Sequence, residues 1–253
     1  MIEFSESFLE FVLATCVPIY VGMFSMIALS NFTHIKTRYL SAFAVGLLFW
    51  FFFDTMNDAV QLGVNEGYAF DFRQTGLVVL FITGFLLFTL LGGRRSKTES
   101  MAKSSMLPLL LSVLAAIGMG IHGVGEGLEF GGLAAGTQAS SVLAAIGGVG
   151  GGFAYVLHKL LESTIVIIVF IALARANGLS FRTELWQTVI VALAFGIPSA
   201  VGEVVGYYVP IDSSYFFAMG AGAALSVALQ VIMPIFGEKN GEVTYSQWIR
   251  AVQ

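Results

Sequence analysis

The chain has 253 residues, of which 57% are hydrophobic and 11% charged, with a formal net charge of −4 and a mean hydropathy of +0.86. A soluble domain carries about 25% charged residues, so this composition cannot furnish a water-facing surface and excludes a soluble globular protein. The single cysteine, Cys16, excludes an intrachain disulfide and a thiolate metal cluster.

The apolar residues gather into stretches of spanning length. A helix needs roughly 20 mainly apolar residues to cross the hydrocarbon core, and seven segments qualify: 8–30, 39–62, 74–93, 107–131, 149–175, 185–209 and 215–236. They are too long, and alternate too little, for barrel strands. The expectation is an all-α polytopic bundle forming one transmembrane domain. The first segment follows Glu3 and Glu6, without a basic leader or a small-residue cleavage pattern, and reads as a retained span.

Between the spans the basic residues alternate by side. Lys36 and Arg38 follow the first span, Arg94, Arg95, Lys97 and Lys103 the third, Arg175 and Arg182 the fifth, and Lys239 and Arg250 the seventh. Only Arg73 lies on the other side. The positive-inside bias places the N-terminus outside, with a cytoplasmic loop at 94–106 and a cytoplasmic tail at 237–253. That orientation suits a plasma membrane. The opposite side carries Glu3, Glu6, Glu66, Asp71 and Asp212, which read equally as a cation-attracting mouth and as ordinary solvated loops.

Nine ionisable side chains fall inside the spans: Asp54, Asp58, His122, Glu126, Glu129, His158, Lys159, Glu162 and Glu203. Each costs about 2.5–3.5 kcal/mol on insertion scales, so a bound cation or a water-filled path is expected to offset them. His122 and Glu126 are four apart and share one helical face, and His158 and Glu162 repeat that spacing on the next span. Two antiparallel helices facing each other would offer two imidazoles and two carboxylates around one point. That mixed nitrogen and oxygen set suits Zn²⁺, Fe²⁺, Mn²⁺, Co²⁺ or Cd²⁺ rather than an alkali cation. Glu129, seven residues after His122, reads equally as part of a vestibule and as a carboxylate reaching for water.

These segments resemble the ZIP (Zrt/Irt-like) metal transporters. IHGVGEGL at 121–128 is similar to that family's fourth-span pattern HNxPEG, and VLHKLLEST at 156–164 to its fifth-span HKxPEG or HExPEG. FGIPSAVGEVVG at 195–206 resembles the sixth span and aligns Glu203 with a metal-contacting glutamate. AVGLLFWFFFDTMNDA at 44–59 resembles the second span, with Asp54 and Asp58 at places where the family usually has His and Glu. GAGAALSVALQVIMP at 220–234 resembles the seventh, with Gln230 at a position often acidic.

The resemblance implies Zn²⁺ uptake through a metal site of His122, Glu126, His158, Glu162 and Glu203. It also implies a path through Asp54, Asp58, Glu129 and Gln230, and a homodimer. Gly123 and Lys159 replace residues of the family's second metal site, so one principal site is expected, with the Lys159 ammonium standing in for a second cation. Gly125 and Leu161 replace both motif prolines, and segment 238–253 is too polar and short to supply the family's eighth span.

The partners expected are the lipid bilayer and divalent metal ions, with no nucleic acid. An enzyme is not expected: a hydrolytic metal site needs a placed general base, and no HExxH motif is present. The alternatives are an intramembrane metalloenzyme on the same ligands, and a non-transporting metal sensor or binding protein.

Overall fold

A computed structural model describes residues 2–32, 43, 46–47, 49–50, 52–53, 72–94, 106–136, 141–176 and 180–236. Among them every regular element is helical: α1 (Phe4–Phe32), α2 (Phe72–Arg94), α3 (Met106–Gly136), α4 (Val142–Ala145), α5 (Gly148–Ala176), α6 (Phe181–Tyr208) and α7 (Ser214–Phe236). Six of the seven expected apolar segments therefore lie on observed helices, whose ends differ from the expected bounds by up to five residues. The second expected span, 39–62, falls mostly outside the described residues, as do the basic loop and the tail. Asp54 and Asp58 fall outside with it, and Gln230 lies on α7 with its side chain undescribed.

Four of these helices are long and apolar enough to cross a membrane, at Phe4–Ser30, Phe72–Leu91, Gly148–Ile168 and Phe181–Tyr208. They mark the chain as an integral membrane protein. The described apolar stretch of α7, Ser214–Leu229, is shorter. α3 is long, at 31 residues, but His122, Glu126, Glu129 and a run of glycines dilute its middle. Such a helix needs protein on its polar side, because lipid cannot solvate ionisable groups.

For His122 and Glu126 that cover comes from α5 and from Phe217 of α7, while α6 packs along the glycine face of α3, the most extensive helix pairing among the described residues. A Cβ on Gly127 would stand 2.3 Å from the Ser199 carbonyl oxygen, and one on Gly206 would stand 2.3 Å from that of Leu128. No side chain fits at either place, so the two backbones touch. Close approach of this kind replaces the hydrophobic driving force that lipid removes.

α1 lies along α5 and also touches α6, so α1, α3, α5 and α6 form one group. α2 packs chiefly on α7, and α7 in turn on α3. The main apolar core joins Ile19, Met23 and Ile27 of α1 to Ile165, Ile168 and Ile171 of α5, Val191 and Phe195 of α6, and Ala224 and Ala228 of α7. The start of the chain is fastened across the group: Ile2 N–H donates to Ala134 O at 3.1 Å, and the Tyr207 hydroxyl donates to Ile2 O at 2.6 Å. Between α4 and α5 the backbone turns through Gly147 and Gly148 at φ +97° and +71°. Those left-handed conformations carry little strain only for glycine, and they let α5 start immediately after the turn.

Candidate metal centre

α3 and α5 bring the two i, i+4 pairs together. The Glu126 Oε1 atom lies 3.5 Å from His122 Nε2 and 3.4 Å from His158 Nε2. Glu162 Oε1 lies 3.4 Å and 3.3 Å from the same two nitrogens. Each carboxylate oxygen thus faces both imidazoles, and each imidazole faces both carboxylates. Four ligand atoms, one from each residue, all lie within 4.8 Å of one another.

These separations bear on the chemistry. An N–H···O hydrogen bond usually spans about 2.7–3.2 Å, shorter than all four contacts. A tetrahedral ion with bonds of about 2.0–2.1 Å has ligand–ligand edges of about 3.3–3.4 Å. The four nitrogen–oxygen edges match that spacing, while the set as a whole spreads to 4.8 Å. A small ion would therefore draw the longest diagonal inward and leave the mixed edges almost unchanged.

The two remaining carboxylate oxygens have a different partner. The Lys159 ammonium pairs with Glu126 Oε2, and with Glu162 Oε2 at 2.5 Å. Its side chain is fully buried, with its Nζ 5.8 Å from the centre of the Tyr155 ring and 5.5 Å from that of Phe195. Two carboxylates and one ammonium sum to −1 when both imidazoles are neutral. A further cation is electrostatically welcome there, because an uncompensated buried charge is strongly destabilising.

The site is closed unevenly. His122 and Glu162 have no exposed side-chain surface, whereas Glu126 retains 12% and His158 23%. The ring of Phe217, on α7, lies 5.0 Å from that of His122. Trp50 lies 6.0 Å from His158, at an edge-on angle. Neither aromatic residue was singled out for the site by sequence reasoning, since nothing in their spacing ties them to a histidine on another helix.

Glu203 stands apart from the four-ligand group. Fully buried on α6, it accepts a hydrogen bond at 2.8 Å from the Ser7 hydroxyl of α1. Glu129 is also outside the group: it is exposed and accepts from the Ser213 hydroxyl at 2.8 Å. That contact belongs to a clasp on the segment joining α6 to α7. Arg73, at the start of α2, pairs with Asp212 at 2.7 Å, and the Ser214 hydroxyl and backbone N–H both donate to the same carboxylate. Partial burial raises the Asp212 pKa, but the Ser214 hydrogen bonds and the Arg73 charge outweigh it and hold it below the usual range.

Comparison of the chain with protein-family models, with curated proteins and with solved structures finds no match.

Proposed function

We propose that this protein is a ZIP-like membrane transporter for divalent transition-metal ions, with Zn²⁺ as the favoured substrate. The observation that carries the reading is the convergence of two imidazole nitrogens and two carboxylate oxygens at mixed separations of 3.3–3.5 Å, between two long helices of a membrane protein. Neutral imidazole with carboxylate is a ligand set that zinc accepts and alkali ions do not favour. In this reading the bundle has seven spans, the N-terminus faces outward, and the protein sits in the plasma membrane and carries metal inward.

The mechanism follows from the donors. A partly dehydrated ion is held by His122, Glu126, His158 and Glu162, and protonation of those groups weakens the hold. All four belong to the group formed by α1, α3, α5 and α6. Movement of that group against α2 and α7 would alternate access to the two sides.

The test is zinc uptake into proteoliposomes by the intact protein and by its His122→Ala and Glu162→Ala variants. Uptake abolished by both substitutions is expected. Uptake unaffected by either would sink the assignment. A second reading, a non-transporting metal sensor or binding protein, draws on Lys159, which already engages one oxygen of each carboxylate. Saturable zinc binding without flux would select it.

A further inference from the structure

Two kinds of helix contact meet at His122. α3 touches α6 backbone to backbone at Gly127 and Gly206. α2 and α7 are joined in the same way: a Cβ on Gly84 would overlap Met219 O, and one on Gly222 would overlap Phe81 O. Between α3 and α7 the nearest contacts are made by side chains instead. A Cβ on Gly125 would meet three ring atoms of Phe217 at 2.6–3.2 Å, one on Gly220 would meet His122 Cβ at 2.9 Å, and one on Gly118 would meet Ala223 Cβ at 3.1 Å.

Phe217 fills this seam at the metal centre. It is 3% exposed, its ring lies 5.0 Å from that of His122, and Leu77 of α2 packs against its cluster. The notch it occupies exists because Gly125 carries no side chain. One turn back along α7, the Ser213 hydroxyl donates to Glu129 across the same seam. On the other side of His122, a cavity of about 10 Å³ is lined by apolar residues including Met119, Ile165, Ala223 and Ala224. Such a lining offers an ion no ligand and holds water poorly. His122 is therefore shut in along the whole α3–α7 seam, whereas His158, across the group, keeps 23% of its surface.

We propose that Phe217 is the lid of the metal centre. Its ring, carried on the joined α2 and α7, closes His122 from water, and an ion reaches that imidazole when α7 parts from α3. Phe217 is a positioning residue, because it touches a ligand rather than the ion. A buried group is reached through local opening, whose free energy is set by the packing that must be undone. The inference deepens the transport reading and rests on it for the identity of the ion.

Diethyl pyrocarbonate, which modifies accessible imidazole nitrogens, tests the lid on the intact, metal-free protein in detergent. The chain has three histidines, His34, His122 and His158, so mass spectrometry of its peptides reads each rate separately. In Phe217→Ala, His122 is expected to react roughly tenfold faster or more than in wild type, with His158 unchanged. Should Phe217→Ala fail to fold, Gly125→Ala decides, since its added methyl displaces the ring from its notch and should bring the same acceleration. Zinc loaded on the folded variant should also pass to an external chelator roughly tenfold faster. An unchanged His122 rate, an equal acceleration at His158, or an unchanged rate of zinc release would each overturn the proposal. The modification arm needs no metal, so its failure is distinct from a failure of zinc uptake into proteoliposomes, which bears on the transport reading.

Discussion

Lys159 binds the oxygen of Glu126 that the two imidazoles leave over. Nε2 of His122 and of His158 face Oε1, while the ammonium takes Oε2. Glu162 divides its oxygens in the same way. The carboxylates are therefore shared between a resident cation and the place where an incoming one would sit. That arrangement predicts opposite effects on folding and on binding when Lys159 is replaced by Met.

Without the ammonium, the two carboxylates lose their buried counter-charge, and breaking such a pair costs about 3–5 kcal/mol. Lys159→Met should accordingly melt at a lower temperature in the presence of a chelator. Its metal centre, however, becomes more negative by one charge, so zinc should bind at least roughly tenfold more tightly, about 1.4 kcal/mol. Zinc should also raise its melting temperature more than it raises that of wild type. Equal zinc affinity in the two proteins, measured by titration calorimetry in detergent, would show that the ammonium does not act on the ion.

The ligand residues themselves should respond differently from Lys159. His122→Ala removes a donor whose side chain has no exposed surface, and Glu126→Ala removes one donor together with a Lys159 partner. Each is expected to weaken zinc binding by roughly a hundredfold or more, about 2.7 kcal/mol. Glu129→Ala, which alters a side chain outside the group, should leave affinity unchanged. The same titration reads all three, and a loss confined to Glu129→Ala would move the site toward the Ser213 clasp.

How far the sequence anticipates this arrangement depends on the distance over which each signal acts. The helices are legible because roughly 20 apolar residues have few alternatives in a membrane. The pairs His122 with Glu126 and His158 with Glu162 are legible because a four-residue spacing is a local fact of the helix. Spacing also puts Lys159 within reach of Glu162, three residues on, but its bond to Glu126 joins two helices and has no local trace. Ser7 and Glu203 are 196 residues apart. Only the packing of α1 on α6 brings them together. Phe217 is similar: an apolar residue in an apolar helix, made particular only by lying on His122.

At the end of the bundle where α2 begins, the Arg73–Asp212 pair predicts a simple pH dependence. Burial raises the Asp212 pKa, but hydrogen bonds from Ser214 and the Arg73 charge lower it overall. A depressed folded-state value means that ionised Asp212 stabilises the fold above the unfolded value of about 3.9. That contribution disappears as pH falls through the lower, folded value. The two side chains retain 34% and 30% of their surface, so solvent screening keeps the effect small, about 1 kcal/mol or less. Asp212→Asn should therefore be slightly less stable than wild type at neutral pH, with the difference closing at pH values below about 4. A difference that persists there would mean that shape, rather than charge, makes Asp212 matter.

The contact between α3 and α6 makes the sharpest prediction about the fold, because two glycines on neighbouring helices have opposite environments. A methyl group on Gly127 would meet the Ser199 carbonyl oxygen at 2.3 Å and the Glu203 nitrogen at 2.5 Å, both backbone atoms. They cannot step aside as a side chain would, so Gly127→Ala must push α3 from α6 along its length. Overpacking of a tight interface costs about 1–3 kcal/mol, against which the gain in helix propensity is about 1 kcal/mol. Gly150, on α5, has nothing within 4 Å of the same added carbon. Gly150→Ala thus keeps the propensity gain without a clash and should be neutral or slightly stabilising. Unfolding of both variants from mixed detergent micelles separates the two terms. A Gly127→Ala protein as stable as Gly150→Ala would mean that the helices are not in backbone contact. The metal centre would then lose the rigid α6 support that holds α3, and with it His122 and Glu126, against α5.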